Sequence, residues 1–297
     1  MKSSRPILVA TDFSPSARHA TDRAARVAHE KGAPLALLHV MPGEALASLR
    51  QWLGASNAPE VQIMASAREQ LEQLATELRA SRNVEPTRNV TAGPPVDEVV
   101  REAERLDARL IVLGARGTGF LRRLVLGTTA ERLLRRTVRP LLVVRQTPHE
   151  PYRRVLVALD FSVWSAHSIA LARRVAPRAH LLLFNAYQVP FEDKLKFAGV
   201  DAATIDQYRR HARADATQRV HAMAAASGLT PSDWEPCIVE GEASLRIIEH
   251  EQEKDCDLIV LGKHGQSATE DLLLGSVTKH VLAEGSTDVL VSTAREP

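Results

Sequence analysis

Residues 7–14 read ILVATDFS, and residues 155–162 read VLVALDFS. An apolar run that stops at an aspartate and a serine has the pattern of a buried strand handing over to a helix. Its return 148 residues later is not isolated. LIVLGARG (110–117) comes back as LIVLGKHG (258–265) at the same shift, as do Gly93 in Gly241 and Gly127 in Gly275. A second apolar run, LALLHV (35–40), matches LLLFNA (181–186) at a shift of 146, so small length changes compensate inside each copy. The chain is therefore a tandem duplication, with expected domains at 1–147 and 152–297 and a polar, proline-bearing linker around RQTPHEPY (145–152).

Within one copy, short apolar runs alternate with amphipathic stretches. After PILVAT, the segment SPSARHATDRAARVAHEKG reads as a helix with Ser14 at the N-cap, Pro15 at N1 and Gly32 just past its end. LALLHV is a second strand, followed by a helix over EVQIMASAREQLEQLATELRAS. VEPTRNVTAG holds a third strand, and PPVDEVVREAERLDA a helix opened by prolines. LIVLG is a fourth strand, TAERLLRRTV a last helix and PLLVVR a fifth strand. The second copy repeats this with a longer polar helical segment between about 201 and 227. Strands apolar throughout and separated by helices predict an α/β fold with a parallel sheet covered on both faces. Right-handed crossovers then put every strand-to-helix loop on one edge, where ligands bind at the switch in strand order.

Composition narrows the function classes. The 297 residues suffice for two domains, and 25% charged with 44% hydrophobic residues is ordinary for a soluble globular protein. No apolar run reaches the roughly 18–20 residues of a membrane span, and the N-terminal stretch has no signal-peptide pattern. Two cysteines, Cys237 and Cys256, form no disulfide framework, so a cytoplasmic location is expected. The net charge of +2 hides an asymmetry. Residues 1–148 hold 22 Lys and Arg against 15 Asp and Glu, leaving 16 against 21 of the total 38 and 36 for the remainder. The basic stretch ERLLRRTVRP carries no interleaved aromatics and reads as a solvated helix face, not a nucleic-acid surface. No HExxH, Cys/His metal spacing or GxSxG elbow occurs.

The spacing Gly114-x2-Gly117-x9-Gly127-Thr128 links the fourth strand to the last helix, and the second copy keeps it as Gly262, Gly265, Gly275 and Ser276. Glycines there let backbone N–H groups approach a ligand, and hydroxyls of Thr128 and Thr129 stand at a helix N-terminus, a ready anion site. These are parts of a phosphate cradle. The pattern is neither a Walker A loop nor a GxGxxG fingerprint.

ILVATDFS, LIVLGARG and GTTAERLLRR followed by RPLLVV, in this order and repeated, resemble the universal stress protein family over nearly the whole chain. The resemblance implies two tandem Rossmann-like domains of the adenine nucleotide α-hydrolase type, each a five-stranded parallel sheet of order 3-2-1-4-5. It implies ATP at the carboxyl edge, as in one branch of the family; magnesium is a companion to ATP for which no protein carboxylate is assigned. Asp12 and Asp160, flanked by Ala10, Thr11 and Ala158, match the aspartate near adenine and ribose. Val40 and Ala186 match the strand-two position that meets the base through its backbone. The glycines named above with Thr128, Thr129, Ser276 and Val277 match the phosphate loop, and His264 stands where many members have histidine, against Arg116 in the first copy. The family also implies an intramolecular pseudo-dimer through the fifth strands, with a further homodimer open and the protein partner unspecified.

The two glycine loops differ in charge. Arg122 and Arg123 in the first stand where the second has Glu270 and Asp271. Two carboxylates near a polyphosphate repel it by about 1 kcal/mol each at solvent-screened distances, so the N-terminal site is the one expected to favour ATP. The expected function is an ATP-binding regulatory stress protein. The alternatives are a nucleotide-independent scaffold and, last, a slow ATPase, since no general base is evident beside the loop.

Overall fold

A computed structural model describes residues 5–44, 59–115, 128–189, 191–265 and 274–293. The chain divides into two compact units, Met1–Pro151 and Tyr152–Pro297.

The first unit carries strands β1 (Ile7–Ala10), β2 (Leu35–Pro42), β3 (Thr87–Gly93), β4 (Leu110–Gly114) and β5 (Leu141–Val144). Helices α1 (Pro15–Lys31), α2 (Pro59–Arg82), α3 (Pro95–Arg105) and α4 (Thr128–Arg136) connect them. All pairings are parallel: β3 on β2, β2 on β1, β1 on β4 and β4 on β5, which is the order 3-2-1-4-5. The central strands are apolar along their whole length because both faces are covered; Leu8, Val9, Ile111, Val112 and all of β5 are fully buried. β3 is an edge strand and has the half-exposed polar composition of one, TRNVTAG.

The second unit repeats the plan with β6 (Arg154–Ala158), β7 (His180–Tyr187), β8 (Trp234–Glu240), β9 (Leu258–Gly262) and β10 (Asp288–Ser292). Its helices are α5 (Val163–Val175), α6 (Glu192–Phe197), α7 (Ala202–Ala226), α8 (Ala243–Glu253) and α9 (Ser276–Glu284). The parallel pairs β8–β7, β7–β6, β6–β9 and β9–β10 reproduce the same order.

Local signals in the sequence explain several boundaries. The Ser14 hydroxyl accepts the Ala17 amide at 3.2 Å and caps α1, and Gly32, at φ 56°, closes it in the left-handed region that glycine tolerates. Pro95 opens α3, where a missing N–H costs nothing. The long polar helix of the second unit is α7, with Asp201 accepting the Thr204 amide at 2.9 Å as its cap. The short α6 before it carries no periodic pattern long enough to announce it. Among the described residues no helix is long and apolar enough to cross a membrane.

Candidate functional site

In each unit the chain order reverses between the first and fourth strands, so the loops leaving β1 and β4, and β6 and β9, open at one crevice. The loop after the first strand has the same build twice. Asp12 Oδ1 accepts the Ser14 amide at 3.0 Å, and Asp160 Oδ1 accepts the Ser162 amide at 3.0 Å. Both turns require a left-handed residue between, and both use phenylalanine for it: Phe13 at φ 64° and Phe161 at φ 62°. A bulky side chain in that region costs about 1–3 kcal/mol and recurs at ligand sites. Each ring is held by its own neighbour, Phe13 stacked on His39 with centroids 4.4 Å apart, and Phe161 under the Arg219 guanidinium at 4.0 Å.

The strand-two residues keep the same turn in place. Buried His39 bonds the Thr11 carbonyl through Nδ1 at 2.8 Å, and buried Asn185 donates to the Leu159 carbonyl at 2.8 Å. These positions correspond at the 146-residue shift, so two different side chains fill one structural role. Neither is visible as a motif. Val40 and Ala186 follow directly, half-buried near the strand ends.

Beyond this common frame the two aspartates are held differently. Asp160 Oδ1 also accepts the Ser162 hydroxyl at 2.6 Å and the Ser165 hydroxyl at 2.8 Å, while Ser165 Oγ accepts the Asp160 amide at 3.1 Å. In the first unit the Ser14 oxygen accepts the Ala17 amide as the helix cap, and Ala17 stands in place of Ser165.

The glycine loop meets the aspartate loop in the second unit. A Cβ on Gly265 would lie 3.2 Å from Asp160 Oδ2, so the absence of a side chain there lets the two loops close on each other. The Gly275 amide donates to the Lys263 carbonyl at 3.0 Å, and Thr278 Oγ1 donates to the Gly262 carbonyl at 2.8 Å. The two stems of the loop are thereby tied together. Gly275 is the N-cap residue of α9 and no side chain caps that helix; Ser276 is its first residue, exposed, with Val277 half-buried beside it. His264 is buried, with its ring 6.1 Å from that of Trp164 on the first turn of α5. Trp164 replaces Ser16 of the first unit and has no warning in any motif.

Gly114 and Gly262 have a packing reason to be glycine. A Cβ on Gly114 would meet Ser16 Oγ at 2.5 Å and the Ser16 carbonyl carbon at 2.7 Å; one on Gly262 would meet Trp164 Cβ at 3.3 Å. The first turn of α1 or α5 lies directly on the end of the fourth strand. Of the remaining site residues, Ala10 is half-buried, Thr11 and Ala158 border the aspartate turn, and Thr129 is exposed on the first turn of α4. Arg116, Gly117, Arg122, Arg123 and Gly127 lie outside the described residues, as do Glu270 and Asp271; Thr128 opens α4.

Two parallel five-stranded sheets of order 3-2-1-4-5, each with an aspartate turn after its first strand, define a duplicated Rossmann-type α/β protein. The universal stress protein family model matches residues 3–145 and again 151–293, and the chain belongs to that family. It is similar to the universal stress protein Rv2623 of Mycobacterium tuberculosis, 26% identical over 312 residues that cover 98% of this chain and 97% of the relative. It is 30% identical over 145 residues to the universal stress protein YxiE of Bacillus subtilis, covering 47% of this chain and 97% of that one. Among solved structures, a universal stress protein from Archaeoglobus fulgidus superposes with a TM-score of 0.67 at 20% identity, covering 98% of both chains.

Proposed function

We propose that this universal stress protein is an adenine-nucleotide-responsive regulatory protein in which the first crevice is the ATP site. The observation that carries the reading is the charge reversal between two glycine loops set in one repeated frame: Arg122 and Arg123 stand where the second copy has Glu270 and Asp271.

Arg122 and Arg123 would add charge-assisted contacts to a triphosphate, whereas Glu270 and Asp271 would repel one. The residues present fit a nucleotide. In the second unit the bare Gly265 beside Asp160 and the N-terminus of α9, which no side chain caps, would suit an anionic group. Asp12, Val40, Gly114, Gly117, Gly127, Thr128 and Thr129 would hold ATP in the first crevice, with the base toward Val40 and the phosphates toward the glycine loop. Magnesium would travel with the triphosphate. Binding would act through conformation or partner choice, without chemistry on the nucleotide, in a cytoplasmic setting that two free, buried cysteines suit.

The test is to denature the purified full-length protein and to identify and count the released nucleotide by chromatography and mass. ATP at close to one per chain is the expected result; absence of nucleotide together with failure to bind added ATP would reject the reading.

A further inference from the structure

One more charge reversal separates the two crevices, at the opposite end from the glycine loops. In the first unit the half-turn after β3 is covered by Glu98. A Cβ on Gly93 would lie 2.6 Å from Glu98 Oε1, so the carboxylate rests on the bare strand end. Glu98 is buried, accepting Arg101 Nη1 at 2.6 Å and the Thr91 hydroxyl at 3.4 Å. The corresponding residue in the second unit is Arg246, and a Cβ on Gly241 would lie 2.6 Å from its Nε. Arg246 Nε donates to the Glu240 carbonyl at 3.0 Å and Nη1 to Glu249 at 2.7 Å, with 43% of the side chain still exposed. A guanidinium has five donors, so these two bonds leave it able to bind more.

Register puts both side chains beside the base end of the crevice. Thr91, which reaches Glu98, pairs with Val40 across β2 and β3. In the second unit the Phe184 ring packs on His250 of α8 with centroids 5.5 Å apart. Ala186, two residues along β7, faces the same side, and Arg246 lies one helical turn from His250 toward the carboxyl edge. A step of two residues along a strand is about 6.7 Å and one helical turn about 5.4 Å, so the two advance together. Glu98 thus stands by Val40, and Arg246 by Ala186.

We infer that the residue at this corner sets which group of the base each crevice accepts. The inference rests on the proposal above that the crevices take nucleotides with the base at the second strand. Glu98 offers a carboxylate, an acceptor suited to an exocyclic amino group, as on a 6-aminopurine. Arg246 offers donors suited to a carbonyl, as on a 6-oxopurine. The second crevice, with Arg246 at this corner, is built for a 6-oxopurine nucleotide.

AMP and IMP differ in the purine ring at position 6 and its adjoining N1 proton, and titration calorimetry of the full-length Asp12→Ala protein with each reports the second crevice. IMP is expected to bind about tenfold more tightly than AMP, the value of one good hydrogen-bond swap. Arg246→Glu should invert that preference, Arg246→Gln should abolish it, and Arg246→Lys should keep it in weaker form. In an Asp160→Ala background, Glu98→Gln should shrink the AMP preference of the first crevice. Equal affinities in the Asp12→Ala protein, or a preference unchanged in a folded Arg246→Gln protein, overturn the inference. So does binding of neither nucleotide by Asp12→Ala while the wild type binds ATP, a result that leaves the first-crevice reading standing. Loss of all nucleotide binding in the wild type removes both.

Discussion

Gly114 shows how a residue chosen for a ligand motif can answer to packing. Its missing Cβ makes room for the Ser16 backbone, which must move if any side chain is added. Gly114→Ala is therefore expected to cost about 1–3 kcal/mol, the usual penalty of overpacking, visible as a lower midpoint in urea unfolding even without nucleotide. A glycine needed only for ligand approach would leave the midpoint unchanged. Cys256 makes the complementary point about burial. Desolvation pushes its thiol up to about 12, and no disulfide engages it. Because the thiolate is the reactive form, Cys256 should resist iodoacetamide at pH 8 in the native protein and react on unfolding. Rapid native labelling would contradict its buried placement. At this scale the sequence was partly readable. Asp12, Asp160 and the glycines stand out through spacing that recurs. Trp164, Ser165, His39 and Asn185 do not, because their roles arise from contacts across strands and loops that no local pattern encodes.

Elements were more legible than contacts, since their signals are local. Ser14, Pro15 and Gly32 bracket α1, and the apolar runs of β1, β4, β6 and β9 announce strands buried on both faces. The short α6 escaped because a six-residue helix has too few turns to show a period. Helix α3 offers an acid-sensitive prediction. Glu102 is held below the usual carboxylate range by its hydrogen bond to Arg105, against an opposing effect of burial. A lowered folded pKa means that its contribution is present above the unfolded value, near pH 4.5, and is lost as pH falls through the folded one. Glu102→Gln should accordingly flatten the fall of urea midpoint between about pH 5 and pH 3. An unaltered acid slope would show that Glu102 contributes nothing there. In the second unit, buried Glu251 ties α8 to the entry of β10. Its Oε1 accepts the Ser286 amide at 3.0 Å, the Ser286 hydroxyl at 2.6 Å and the Thr287 amide at 2.7 Å. Glu251→Ala should destabilise the second unit by about 2–3 kcal/mol, the scale of charged hydrogen bonds with partners left buried. A loss below about 0.5 kcal/mol would contradict that role.

The whole molecule is one Rossmann-type α/β unit written twice and edited at its polar positions. Duplication preserves the backbone devices: the left-handed phenylalanine, the aspartate turn, the glycine at the end of the fourth strand. Divergence falls on side chains beside those devices, with Ala17 against Ser165, Ser16 against Trp164 and Glu98 against Arg246. The family model matched twice carries the family and the two-unit plan, not the ligand of either unit. The proposed function requires a difference in ATP affinity between the two crevices. Calorimetric titration of ATP into wild-type, Asp12→Ala and Asp160→Ala full-length proteins measures it directly. Asp12→Ala is expected to weaken the tight ATP site at least about tenfold, roughly 1.4 kcal/mol, and Asp160→Ala to leave it within about twofold. Retention of tight binding by Asp12→Ala with its loss in Asp160→Ala would contradict the account.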